Sequence, residues 1–349
     1  MQFNEGQSQF PVGKRRELEA SKETLPVLEV ANKVQYVNPE IESPFQLEEG
    51  KPTNLGLFLN SQLQAGEDSR RLEAENYHRR SLLLARIIFG EKYQKGIQRQ
   101  LFRDVVIKGS GQIKEGSDVA FSPPQAEEVL RGEGKRSWGI MSLKSAIHDM
   151  EISEKFHNLG MRVSRVIAIV ELEEIVFEGE KISIDEAKKR GIIDDTVTPV
   201  LEIRGFGTHN RLLDVQDQGN SPEKKRIIIE DARLLVAQEL GEDPAAFDLY
   251  KYATWLAKTL GNNMGLMGKS GYRHGNLSQG HNITLDGCLV DFETVEKTDD
   301  ANAIMEDRAH ANAGLLMFLM SIFDSPVNSL QIQEILKEYE KAYDKAKET

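Results

Sequence analysis

The chain of 349 residues is long enough for one large domain or two small ones, and its 39 % hydrophobic and 29 % charged residues are typical of a globular protein. A net charge of −12 disfavours a general nucleic-acid binder, because such proteins hold phosphates with clustered cations. We expect no membrane partner, since no apolar run approaches about 18 residues. A polar start without a signal-peptide core and a single cysteine, Cys288, predict a cytoplasmic protein.

The first half of the chain is predicted to begin irregularly and then to form strands. Residues 1–60 show little periodicity, and the apolar spacing from Asp68 to Phe89 predicts a helix with one buried face. A second helix is predicted from about Ile140 to Leu159. Three strands rich in Val, Ile and Thr are predicted at 104–108, 165–172 and 198–206.

Helices dominate the second half of the sequence. Ser221 and Pro222 are typical of a helix start, and this helix is predicted to end at Gly241. Further helices are predicted at 243–261, 301–323 and from 329 to the end. A strand-rich part followed by a helix-rich part favours an α+β fold with two unequal lobes. We divide the chain into an N-terminal extension with a helix near 68–90 (1–97), a strand-rich N-lobe (98–215) and a helical C-lobe (216–349).

The segment HGNLSQGHNITLDGCLVDFE, from His274 to Glu293, carries the strongest functional signal. Asn282 precedes a short strand, Asp286-Gly287 is typical of a hairpin turn, and the returning strand ends at Asp291. Such a hairpin brings together an amide oxygen and a carboxylate, which are hard ligands that Mg²⁺ accepts beside phosphate oxygens. We therefore predict a metal site at Asn282 and Asp291; a polar hairpin with capping residues is the alternative.

A second signal follows the first predicted strand. Lys108 ends that strand and is followed by Gly109, Ser110 and Gly111. A lysine at a strand end can reach phosphate oxygens as a compact charge, and glycines let backbone N–H groups approach the same oxygens. We predict that these four residues bind ATP; a plain turn is the alternative.

These segments resemble a known pattern. Kinase-like enzymes have a catalytic loop that ends in Asn and a hairpin that ends in Asp, and both residues hold metal on the triphosphate. The order H-G…N-I…D-G…V-D-F-E, with KGSG and with SEKFHNLGMRVSRVIAIV from Ser153, resembles the selenoprotein O family of kinase-like protein adenylyltransferases over residues 100–295. The resemblance implies a protein-kinase-like two-lobed fold, with a strand-rich N-lobe and a small helical C-lobe.

The resemblance also implies roles for an acid and two arginines. In the family a helix acid orients the lysine; the matching residue here is Asp149, with Glu151 as the substitute if the register differs. VLEIRGFGTHNRLLD holds Arg204 and Arg211 at the separation of the family's arginine pair. Two guanidinium groups can hold phosphates by paired hydrogen bonds. In the family they hold a nucleotide bound in reverse relative to ordinary kinases, so that AMP passes to a protein hydroxyl. A solvated acid and a salt-bridged arginine pair are the alternatives.

At the position of the general base, the sequence differs both from ordinary kinases and from the selenoprotein O family. Asn276 stands where an ordinary kinase has an Asp, and an amide cannot accept the proton. His281 stands where the family has an Asp before its metal-binding Asn. Histidine accepts a proton near neutral pH, so His281 is the candidate catalytic base, and a plain loop histidine is the alternative.

The sequence therefore predicts transfer of AMP from ATP, with Mg²⁺ or Mn²⁺, to a hydroxyl on a protein or a small molecule. Two alternatives stay open. One is a small-molecule kinase of the aminoglycoside or fructosamine kinase type, and the other is a non-catalytic pseudokinase that binds nucleotide.

Overall fold

The structure is a computed structural model that describes residues 23–59, 70–74, 76–77, 81–90, 100–111, 139–177, 179–217, 220–327 and 329–348. Its strands are β1 (Glu23–Glu29), β2 (Asn32–Val37), β3 (Leu57–Leu59), β4 (Arg70–Ala74), β5 (Asn76–Tyr77), β6 (Ser81–Gly90), β7 (Leu101–Lys108), β8 (Met141–Ser142), β9 (Arg165–Leu172), β10 (Glu174–Phe177), β11 (Glu180–Ser183), β12 (Pro199–Phe206), β13 (Tyr272–Arg273) and β14 (Glu296–Lys297). Its α-helices are α1 (Leu143–Asn158), α2 (Ile184–Lys189), α3 (Leu212–Gln216), α4 (Pro222–Leu240), α5 (Leu249–Lys269), α6 (Ala301–Phe323) and α7 (Leu330–Glu348).

An antiparallel sheet of seven described strands forms the N-lobe. Its order is β2-β9-β12-β7-β6-β5, and β8 pairs with the start of β12. Glu202 on β12 lies opposite Lys108 on β7, and Arg204 lies opposite Val106. Since side chains two residues apart point to the same face of a sheet, Lys108, Glu202 and Arg204 share one face.

The two faces of this sheet are covered differently. Val105, Ile107 and Ile203 belong to a large apolar core on one side. On the other side, Val166 and the start of α1 form a smaller cluster. Helix α1 begins after Ser142, whose hydroxyl accepts the N–H of Ser145 at 3.1 Å, as expected of an N-cap. Because Val166 lies opposite Arg204 in the sheet, the cluster shows that α1 covers the face that carries Lys108.

The C-lobe is built around α5. Its core brings together apolar side chains of α4, α5, α6 and α7 with the segment that follows α5. Helices α5 and α7 approach closely because α5 presents Gly261 and Gly265 to the backbone of α7 at Tyr339 and Tyr343. None of the described helices is both long enough and apolar enough to cross a membrane.

The predicted fold class is confirmed: an α+β protein with a strand-rich lobe followed by a helical lobe. The strand at 165–172 has the predicted bounds, and the other two predicted strands differ at their ends by a few residues. Helix α4 begins after Ser221 and ends at Gly241, which has the left-handed φ of 67° that a glycine C-cap adopts.

The helix predicted from Asp68 to Phe89 is wrong. That region forms β4 and β6, and β6 pairs with β7 from Ser81 opposite Lys108 to Gly90 opposite Leu101. The backbone pairing of β6 with β7 has two register irregularities, so a two-residue period of apolar residues is not expected along this strand. The first 60 residues are also not wholly irregular, since β2 adds to the sheet beside β9. The N-terminal extension thus contributes strands to the N-lobe, and residues 1–22 lie outside the described residues.

Replacing Gly265 by alanine is expected to destabilise the protein by about 1–3 kcal/mol, the usual cost of overpacking. A Cβ at Gly265 would lie 2.5 Å from the Tyr343 carbonyl oxygen and 2.7 Å from the Cβ of Ala346. Urea unfolding measures the change in free energy. Gly268→Ala is the matched control on the same helix, because its Cβ would meet two side-chain atoms, the γ2-methyl of Ile304 at 2.9 Å and the Tyr343 hydroxyl at 3.9 Å, and no backbone atom of α7. Equal effects of the two substitutions would contradict the close packing of α5 on α7.

Candidate functional site

A hairpin from Asn282 to Val290 delivers the acid of the candidate site. The Val290 N–H donates to the Asn282 carbonyl at 3.1 Å, and the Thr284 N–H donates to Cys288 at 3.0 Å. The turn lies at Gly287, whose φ is 76°. This pairing is the one predicted from the Asp-Gly signal, and it places Asn282 beside the residue that follows Val290, which is Asp291.

The hairpin is fixed to the N-lobe by two kinds of contact. Val290 and Cys288 pack against Val106 and Phe206 of the sheet in a small buried cluster. At the turn, the Asp286 carboxylate accepts hydrogen bonds from the Thr284 hydroxyl at 2.6 Å and from Arg162 at 3.0 Å. The position of Asp291 relative to the sheet is therefore set by apolar packing and by a buried ion pair.

Asp291 has an unusual backbone conformation, with a φ of 68° and a ψ of 66°. A residue other than glycine rarely adopts this left-handed conformation, and such residues cluster at functional sites. The next residue, Phe292, is buried against Phe156 of α1 with ring centroids 5.7 Å apart. The turn thus anchors Phe292 in the core and leaves the carboxylates of Asp291 and Glu293 partly exposed on the sheet side.

Lys108 lies at the centre of an acidic cluster. Its ammonium group forms ion pairs with Asp291 and Glu293 and lies 4.0 Å from the carboxylate of Asp149 on α1. The strand-end lysine and the hairpin acid, 183 positions apart in sequence, are therefore in direct contact. The predicted pairing of Lys108 with Asp149 is present but long, and Glu151 is exposed, so the matching helix acid is Asp149.

Arg204 approaches the same acids from β12. Its guanidinium lies 3.0 Å from Glu202, 3.6 Å from Asp149 and 3.8 Å from Asp291. The Arg204 side chain is 4 % exposed, so these charges interact in a medium from which water is largely excluded. Asp149 is consequently closer to Arg204 than to Lys108, which differs from the pairing that the family resemblance implies.

Arg211 directly precedes α3, and its side chain extends into the site. Its guanidinium donates to the side-chain oxygen of Asn282 at 2.6 Å and to the carbonyl of His281 at 2.9 Å. Asp214, in the first turn of α3, accepts the Arg211 N–H at 2.6 Å and fixes the backbone there. The side-chain oxygen of Asn282, which is predicted to bind metal, therefore accepts a hydrogen bond from Arg211. Metal binding by Asn282 requires this arginine to move.

The electrostatics of the cluster separate its acids. Burial raises the pKa of Asp149 to about 6, against the opposing charges of Arg204 and Lys108. Burial and the charge of Asp149 raise the pKa of Glu202 well above its usual range. Burial also acts on Asp291, but the charges of Lys108 and Arg204 outweigh it and hold the pKa of that carboxyl below its usual range. Asp291 is thus charged at neutral pH, whereas Asp149 and Glu202 retain a proton more readily.

The donor set fits a hard divalent cation. One carboxylate oxygen from each of Asp149, Asp291 and Glu293 lies within 4.8 Å of the others. Mg²⁺ and Mn²⁺ prefer such oxygen ligands. Both carboxylate oxygens of Asp149 are buried and have no hydrogen-bond partner among the described residues. Buried acceptors are rarely left in this state, so Asp149 is well suited to a ligand or ion.

His274 and Asp307 position the loop that leads into the hairpin. His274 is buried, and its Nε2 lies 3.0 Å from the carbonyl oxygen of Val290. Asp307 on α6 accepts the backbone N–H groups of His274 and of Gly275, the latter at 3.1 Å. His281 lies at the other end of this loop, is half-buried and directly precedes Asn282.

The structure does not bring the predicted Gly109-Ser110-Gly111 segment into the cluster. Ser110 is fully buried, and its carbonyl oxygen accepts the N–H of Leu59 at 2.8 Å. The Gly111 N–H donates to the Gly139 carbonyl at 3.0 Å. Gly109 and Gly111 have φ values of 94° and 89°, and both lie tightly against neighbouring strands or side chains. The two glycines allow a tight turn at the strand end.

Three site acids were missed in the sequence. Glu202 is two residues before Arg204 on a predicted strand, so the two-residue spacing was the available signal for it, whereas Glu293 lies in a 3₁₀ turn to which that spacing does not apply. Asp307 carries no such signal, because its role depends on how α6 packs against the loop after α5.

Comparisons with known proteins give little beyond this geometry. No family model matches the chain, and no curated protein matches it. A solved structure described as WaaP in complex with acyl carrier protein aligns with 75 % of this chain and 90 % of its own chain, at 11 % identity and a TM-score of 0.24. At that TM-score the alignment carries no inference about activity or substrate.

Asp149→Asn is expected to raise the free energy of unfolding by about 1–3 kcal/mol at about pH 8. The folded protein holds the Asp149 proton more tightly than the unfolded chain, because the pKa rises from 3.8 to about 6. The stability of the unmodified protein therefore falls as the pH rises from about 4 through about 6. The variant has no carboxyl group at this position, so its stability does not fall for this reason. Urea unfolding at several pH values should show a gain that disappears near pH 4.

The matched control is Glu151→Gln, which removes an exposed acid from the same helix and should change stability little at any pH. A lower stability of Asp149→Asn at about pH 8 would mean that the pairing of Asp149 with Arg204 and Lys108 outweighs the cost of its burial.

Proposed function

We propose that this chain binds ATP with a divalent metal between its two lobes and transfers AMP to a hydroxyl acceptor. The observation that carries the proposal is the meeting of Lys108, Arg204 and Arg211, from the strand-rich side, with Asp291, from the hairpin. A triphosphate could bind the three cations, and its metal ion could bind the Asp291 carboxylate. Together they would replace the ion pairs that now join Lys108 and Arg204 to Asp291.

Each residue of this group has a defined part in the proposal. Lys108 supplies a compact charge, and the guanidinium groups of Arg204 and Arg211 supply paired donors to phosphate oxygens. Asp291 would hold the metal together with Asn282 if Arg211, which now bonds to Asn282, turned to the nucleotide. The metal, when bound, neutralises charge on the phosphate oxygens.

In this proposal the cations surround the α-phosphate of ATP, so AMP is the group that is transferred. The acceptor oxygen attacks the α-phosphorus, the bond from that phosphorus to the bridging oxygen of the β-phosphate breaks, and pyrophosphate leaves. The products are an AMP ester of the acceptor and pyrophosphate. The lysine and the two arginines together would offset the negative charge that develops on the departing pyrophosphate.

The proton of the acceptor hydroxyl goes to His281 in this proposal. His281 directly precedes Asn282, and its backbone is held by Arg211 at 2.9 Å. A general base contributes roughly 10²–10⁴-fold to a rate. Positioning and charge neutralisation carry most of phosphate chemistry, so a weak base is compatible with a slow enzyme.

Phosphoryl transfer is the second candidate, and Asn276 is the observation that weighs against it. Asn276 follows His274 by two residues, which is where an ordinary kinase carries its base. Because an amide cannot accept the proton, a kinase of this kind needs another base. A nucleotide-binding protein without transfer is the third outcome of the same test.

Incubation of the protein with Mg²⁺ and ATP labelled at the α-phosphate is expected to move label onto a protein or small-molecule acceptor, with release of pyrophosphate. Asp291→Asn is expected to lower the transfer by about 100-fold or more, because the metal loses its principal acid. Label counted on the separated products measures the reaction.

Asp299→Asn is the matched control, since Asp299 is exposed and lies outside the cluster, and transfer should be unchanged. Label that arrives only from γ-labelled ATP would replace AMP transfer by phosphoryl transfer. Binding of ATP without any transfer would leave a pseudokinase, and no binding of nucleotide would remove the proposal.

A further inference from the structure

The ammonium group of Lys108 occupies the space between three carboxylates. The oxygens of Asp149, Asp291 and Glu293 lie within 4.8 Å of one another. Lys108 forms ion pairs with two of these acids and lies 4.0 Å from the third. A side-chain cation therefore lies at the place where a bound metal ion would contact the same oxygens.

A divalent cation and the lysine cannot share this space. A metal would lie roughly 2.0–2.6 Å from its oxygen ligands, close to the present position of the ammonium group. Two cations a few ångströms apart in a largely buried site repel each other strongly. Occupation by Lys108 and occupation by metal are therefore alternatives.

Asp149 gives an independent sign that the acids are arranged for a further ligand. Its side chain is 1 % exposed, and its two oxygens have no hydrogen-bond partner among the described residues. Arg204 and Lys108 approach it only at 3.6 Å and 4.0 Å. A buried carboxylate with such distant partners has both oxygens available as acceptors for a further ligand.

Glu293 is held so that it can serve the same ion as Asp291. The two residues flank Phe292, which is buried against His274 and Phe156, and a short 3₁₀ turn follows from Phe292 to Thr294. The side chains of Asp291 and Glu293 are 28 % and 29 % exposed, so this side of the cluster is open to solvent ions.

We propose that Asp149, Asp291 and Glu293 form one divalent-cation site, and that Lys108 fills it until an anionic ligand draws the lysine away. The inference rests on the proposed function only in taking Asp291 as a metal ligand. It adds Glu293 and Asp149 to the ligands and makes metal and phosphate binding cooperative, because each removes a competitor of the other.

The test is Mn²⁺ binding in the absence of nucleotide, measured by the electron paramagnetic resonance signal of free Mn²⁺. Lys108→Met is expected to bind one Mn²⁺ at least 10-fold more tightly than the unmodified protein, because the competing charge is gone. Lys144→Met removes an exposed lysine from α1 and should leave the affinity unchanged. If Lys108→Met does not fold, Lys108→Gln removes the same charge with a polar side chain.

A second substitution identifies the ligands. Adding Glu293→Gln to Lys108→Met is expected to reverse the gain at least 10-fold, and adding Glu296→Gln, an exposed acid three residues further on, is expected to leave it. Unchanged Mn²⁺ affinity in Lys108→Met, or a gain that survives Glu293→Gln, would overturn the inference.

The two proposals fail separately. A protein that binds ATP but shows no gain of Mn²⁺ affinity in Lys108→Met loses only the metal inference. A protein whose Lys108→Met variant gains Mn²⁺ affinity while the unmodified chain binds no ATP retains the metal site and loses the proposed function.

Discussion

The contact of Lys108 with Asp291 is the interaction on which the rest of the site depends. It joins the end of β7 to the end of the hairpin, two segments from different lobes. The β7–β12 register aligns Glu202 and Arg204 with Lys108, and the left-handed turn at Asp291 directs its carboxylate toward them. Without this contact, the cations of the sheet and the oxygen ligands of the hairpin would not form one binding site.

The balance of charge in this buried space explains much of its geometry. Lys108, Arg204 and Arg211 face four acids, and water is largely excluded from several of these side chains. Buried ion pairs seldom add net stability, because desolvation offsets their attraction. A raised pKa at Asp149 and Glu202 is consistent with that cost. Such a cluster is more readily understood as a site kept for an ionic ligand than as a device for stability.

Much of this site could be predicted from sequence because its signals are local. The hairpin from Asn282 to Asp291 follows from an Asp-Gly turn between apolar residues, and Lys108 follows a run of β-branched residues. The strand β6 could not be predicted, since its pairing with β7 has two register irregularities and its apolar residues therefore do not follow a two-residue period. Asp149 was predicted as a partner of Lys108, but Glu293 was not: which of the two acids lies nearer to the lysine depends on how α1 and the hairpin pack against the sheet.

The most direct measurement is a crystal structure of the protein with Mg²⁺ and an ATP analogue that is not cleaved. The account predicts a nucleotide between the lobes, with Lys108, Arg204 and Arg211 on phosphate oxygens and a metal ion bound by Asp291. A nucleotide bound elsewhere on the molecule, with the ion pair of Lys108 and Asp291 intact, would contradict it.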